Sequence, residues 1–134
     1  MDGWSHDIFD QDDAADWVFE LEESSDLSAI HDALNAATDD AEDYMDISVG
    51  APAVAAAEVV ASLSGNPAAD LPDSIREWIA GKSAPDAELN AKARNAITAV
   101  LAGGELKDLW QETDEYSNWV AHLKNIESRI PNVG

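Results

Sequence analysis

The densest grouping of side chains able to do chemistry lies at the start of the chain. His6, Asp7, Asp10, Asp12, Asp13 and Asp16 fall within eleven residues. Hard oxygen donors at this density suit a divalent cation such as calcium. An EF-hand loop opening at Asp10 would need an acidic or amide residue at position 14, Gly at 15 and Glu at 21. Those positions hold Ala14, Ala15 and Leu21, so the ligand order fails and no metal site is expected. The three histidines, His6, His31 and His122, are too far apart in sequence to make a zinc signature, and there is no Cys to add thiolates.

Other catalytic chemistry has no better foothold. With 28 Asp and Glu, carboxylates meet by chance, and no spacing singles out a general acid and base. No Ser sits in a nucleophile elbow and no Gly-rich loop follows a strand, so neither an acyl transferase nor a phosphate-binding loop is indicated. No catalytic residue and no cofactor is expected. Trp17, Trp78, Trp110 and Trp119 each lie on an apolar helical stripe and are expected in the core. Trp4 has no such context. It joins His6, Asp7, Asp10, Asp12, Asp13 and Asp16 as a candidate binding segment.

The elements that would position these residues are helical throughout. Ala14, Trp17, Val18 and Leu21 make the apolar stripe of a first helix over 10–23, with Asp10 as its N-cap and Asp12 and Asp13 in the first turn. Phe9, just before that cap, is expected to pack back on the helix as a hydrophobic staple, clasping it with Trp4. After Ser24-Ser25-Asp26 a second stripe runs through Leu27, Ile30, Ala33, Leu34 and Ala37. Residues 38–50 show no clean period and read as a connector. Pro52 then opens an Ala-rich third helix to Leu63, stopped by Gly65-Asn66-Pro67.

A short helix through Ile75, Trp78 and Ile79 ends at Gly81. Ser83-Ala-Pro-Asp86 resembles a capping box, with Pro85 in the first turn, opening a helix through Leu89, Ala93, Ile97 and Leu101. Residues 105–111 form another short helix. A last stripe, capped by Thr113 or Asp114, joins Tyr116, Trp119, Val120, Leu123, Ile126 and Ile130. No window alternates as a half-buried strand would. The expected fold is all-α, an irregular bundle or array of six to seven helices in a single acidic domain spanning 1–134.

At 134 residues one core accounts for the chain, since a domain of this size buries roughly two thirds of its unfolded surface. Twenty-four of the apolar residues are Ala, so helices must approach closely around a few large side chains. The first residues lack the basic flank and apolar run of a secretory signal, and the run 47–63 is interrupted and Ala-rich. A cytoplasmic location with no membrane contact is expected.

The net charge is −21, and its distribution is uneven. Residues 1–75 hold 19 acidic and no basic residues, whereas residues 76–134 hold 9 acidic residues and all 7 Lys and Arg. Such a field repels nucleic acid phosphates and anionic lipid and attracts basic proteins.

The opening Trp4-Ser-His-Asp-Ile-Phe9-Asp10-Gln-Asp12-Asp13-Ala14-Ala-Asp16-Trp17 resembles that of a bacterial family catalogued as domain of unknown function 4259. Ala55-Ala-Ala-Glu58-Val-Val-Ala, Leu71-Pro72 and Glu105-Leu-Lys-Asp-Leu109-Trp110 follow in similar order. The chain departs from the family pattern at Ser5 and Asp7, where Gly is usual, and at Gln11, where Asn is common. The resemblance implies a small bacterial protein and names no catalytic or binding residue.

Three functions are compatible with these residues. The acidic N-terminal half favours a non-enzymatic interaction protein binding a basic protein, in the manner of an inhibitor or immunity-type factor. The cluster from His6 to Asp16 would serve a small-molecule or metal-dependent activity. The overall charge would serve a DNA-mimicking regulator.

Overall fold

The structure is a computed structural model that describes residues 12–24, 27–39, 44–66, 73–82, 84–114 and 116–130; of residues 12–15 and 74 it describes the backbone alone. These residues form seven helices and no strand: α1 Asp12–Glu23, α2 Ser28–Asp39, α3 Ile47–Leu63, α4 Asp73–Ile79, α5 Ala87–Ala102, α6 Glu105–Gln111 and α7 Tyr116–Arg129. The expected all-α fold is observed.

Helix α3 is the axis of the molecule and touches each of the other six helices. Ala53, Ala55, Ala56, Ala57 and Ala61 are fully buried in it, beside Val54, Val59 and Val60. Small side chains let neighbours close in from every direction, which is how an Ala-rich sequence makes a dense core. Larger residues fill the spaces between helices: Leu21, Ile30, Leu34, Ile75, Leu89, Ile97, Leu123 and Ile126. Each falls on the apolar stripe that its own sequence displays.

Two boundaries differ from expectation. Helix α3 begins at Ile47 rather than at Pro52, so residues 47–50 are helical and Pro52 is the sixth residue of the helix. Ile47 and Val49 stand two apart and partly buried, with Ser48 exposed between them, so this first turn shows no helical apolar stripe. Pro52 lies inside the helix and forgoes the bond to the Ser48 carbonyl. Helix α5 is capped by Asp86, whose Oδ1 accepts the Leu89 N–H at 2.8 Å. Pro85 thus precedes the cap instead of lying in the first turn.

Helix ends follow backbone chemistry. After α3, Gly65 takes φ +93°, its N–H donates to the Ser62 carbonyl, and Asn66 N–H donates to Ala61, the paired bonds of a Schellman stop. Gly81 also takes a positive φ, +85°, after α4, where the Lys82 N–H donates to the Ile79 carbonyl.

Four of the five Trp are described. Trp17 and Trp119 are buried, whereas Trp78 and Trp110 are partly buried against the core. Trp110 stacks on Trp119 with centroids 6.2 Å apart and planes 10° from parallel, and Tyr116 tilts onto the same ring.

Candidate functional site

The residues of the early acidic cluster are placed unequally. Trp4, His6, Asp7 and Asp10, and with them Phe9 and the expected clasp, lie outside the described residues. Asp12 and Asp13 open α1. Asp16 is exposed and lines a groove of about 830 Å³ between α1, α2 and the start of α3.

Amphipathicity builds that groove. Helix α1 turns Trp17 and Leu21 inward, and the Trp17 Nε1–H donates to the Ala29 carbonyl at 3.2 Å, fastening α1 to the first turn of α2. The Trp78 Nε1–H donates to the Ser24 carbonyl at 3.0 Å and holds the turn between them. With that face buried, Asp16, Phe19 and Glu20 are left exposed together, three and four residues apart on one side of α1.

The floor comes from Ala29, Ala33 and Ala36 of α2, and from Val49 and Pro52 of α3. Asp32 stands exposed on the opposite wall. Three carboxylates, an apolar floor and Phe19 at 67% exposure make a surface for cationic, partly apolar matter. No Lys, Arg or His lines it. Among the described residues, no three His, Cys, Asp or Glu side chains are gathered to hold a metal ion.

Phe19, Glu20 and Asp32 were not legible as site residues in the sequence. Phe19 is one residue past Val18 yet off the stripe, and this mismatch was the available signal.

Two further polar arrangements brace the framework. Glu105 caps α3 from outside: its Oε1 accepts the Ile47 N–H at 2.9 Å, and its own N–H donates to the Met45 carbonyl at 2.8 Å. The Tyr44 hydroxyl donates to Asp108 at 2.8 Å. That hydrogen bond, with the charges of Asp108, Glu105 and Asp46 around it, pushes the exposed Tyr44 phenol up to about 12. The second arrangement centres on Glu58, which the sequence showed only as a break in an apolar run. It is fully buried, and Arg129 of α7 pairs with it.

No described helix is long and apolar enough to cross a membrane. No curated protein and no solved structure matches the chain. A family model does match, over residues 3–122, and the chain belongs to that family, described as Domain of unknown function (DUF4259).

Proposed function

We propose that this chain is a non-enzymatic acidic interaction protein of the bacterial cytoplasm that binds a basic protein, in the manner of an inhibitor or immunity-type factor. The observation that supports this reading is the groove in which Asp16, Glu20 and Asp32 surround an exposed Phe19 with no basic residue among the lining side chains. Carboxylates at a rim steer a cationic partner and set its register. The apolar floor and Phe19 supply the desolvated contact that slows dissociation.

The test is capture from native lysate at low salt by the intact chain, with the retained protein identified and then purified. Binding of that protein should fall at least tenfold when Asp16, Glu20 and Asp32 are changed to Lys together, and also in Phe19→Ala. Reversal of Glu112, outside the groove, should leave it unchanged. Equal loss from both sets would reduce the interaction to bulk charge. A stoichiometric divalent cation with micromolar affinity in calorimetry would replace this reading with a metal-dependent one.

A further inference from the structure

Positive charge is scarce in this molecule, yet two of its seven basic residues lie beside the same small pocket. The pocket holds about 210 Å³ where α2 meets the loop leading into α5, with Leu27, Pro85 and Leu89 as apolar walls and His31, Lys82 and Asp86 as its polar lining. Lys92, half-buried, places Nζ 3.2 Å from His31 Nδ1 and 3.5 Å from a Glu88 oxygen. An ammonium only donates, so Nδ1 is the acceptor and the ring proton of neutral His31 resides on Nε2. His31 therefore offers an N–H donor.

Lys82 is half-buried as well, and its ammonium lies 4.3 Å over the Trp78 ring. That contact holds the charge in place without cancelling it, and no described carboxylate forms an ion pair with Lys82. Asp86 already accepts the Leu89 N–H through Oδ1, and its charge opposes a ligand carrying two negative charges more strongly than one carrying a single charge.

We propose that this pocket binds a small monocarboxylate, its charged end on Lys82 and the His31 Nε2–H and its short apolar body against Leu27, Pro85 and Leu89. The volume is below the roughly 300 Å³ at which drug-sized pockets begin, which restricts the ligand to an acid of a few carbons. The inference is independent of the groove, with which the pocket shares no lining residue.

The experiment is a titration of the intact protein with acetate, propionate, butyrate and inorganic phosphate at constant ionic strength, read by the imidazole resonances of His31. Saturable shifts are expected for the carboxylates, with Kd tightening about fourfold per methylene as each CH2 is buried, and weaker or no saturation is expected for phosphate. Lys82→Gln should weaken butyrate at least tenfold, whereas Lys124→Gln, on the exposed surface of α7, should not. Should Lys82→Gln lower the melting temperature, His31→Gln, read by backbone amide shifts of Leu27 and Leu89, tests the same contact. The proposal is overturned by absence of saturation with butyrate, by phosphate binding as tightly as butyrate, or by unchanged affinity in both pocket variants.

Discussion

Arg129 closes a two-bond fork on Glu58, with Nη2 2.7 Å from Oε1 and Nη1 2.8 Å from Oε2. Glu58 is 0% exposed, in the middle of the Ala-rich central helix. Residues 1–75 contain no Lys or Arg, so the guanidinium that pairs with a carboxylate buried in α3 has to come from the second half of the chain. Arg129 is itself held, with Nε donating to Asn125 Oδ1 and Nη1 also reaching the Asn66 carbonyl, each at 2.8 Å. Planar, bidentate and charge-assisted, the pair fixes the last helix to the first half of the fold.

Removing one partner of such a pair leaves an uncompensated buried charge. Arg129→Met should therefore cost about 3–5 kcal/mol in urea unfolding. The double replacement Glu58→Met with Arg129→Met should recover most of that loss, because an apolar pair of similar volume suits the site. A single variant losing under about 1 kcal/mol would mean that water reaches Glu58, since solvated pairs contribute that little.

Gly104 is required twice over by the junction of α3 and α6. Its φ is +131°, and a Cβ there would meet Met45 Cβ and the Met45 carbonyl oxygen, both at 2.9 Å. The backbone cannot retreat, because the neighbouring Glu105 N–H is bonded to that same carbonyl. Gly65 shares the positive φ but faces open space. Gly65→Ala should cost about 1–2 kcal/mol for the conformation alone. Gly104→Ala should cost distinctly more by denaturant titration, and equal costs would show that Met45 moves aside freely.

The contrast between these sites shows what a sequence makes visible. Trp119, Leu123 and Ile126 in α7, or Leu89, Ala93 and Ile97 in α5, announce their burial because polar residues on the other face set a 3.6 period. Residues 47–50 carry no such contrast, since Ile47 and Val49 are only partly buried on either side of an exposed Ser48. Glu58 stands out in composition, but its partner is 71 residues away, and nothing local encodes that distance. Asp16 was visible as one acid among many. Its companions Phe19 and Asp32 became site residues only when α1 and α2 folded against each other and left them on facing walls.

Alkaline titration tests the Tyr44 to Asp108 contact. The folded phenol is raised from 10.0 to about 12, chiefly by its hydrogen bond to Asp108. Folding thus favours the protonated form, so the contribution to stability is complete below pH 10 and is lost as pH climbs from 10 towards 12. Ultraviolet absorbance should show a late phenol ionisation, and Tyr44→Phe should remove it. An alkaline titration that Tyr44→Phe leaves without loss of a late step would contradict the contact.

Charge in the groove should set stability against binding. Asp16, Glu20 and Asp32 are exposed around a surface with no lining cation, within a chain of net charge −21. Their mutual repulsion acts in the compact state and is relieved when the chain expands. Screening shortens its range from about 30 Å at 0.01 M salt to about 8 Å at 0.15 M. The melting temperature of the intact protein should therefore climb as sodium chloride is raised over that interval. Changing the three acids to Asn, Gln and Asn should raise it at low salt and flatten the salt response, while the captured basic partner binds more weakly. Stability gained at the expense of binding is the pattern of a surface retained for recognition. A melting temperature that falls on neutralisation would show instead that the three carboxylates are compensated locally, and the groove would then owe its charge to folding rather than to a partner.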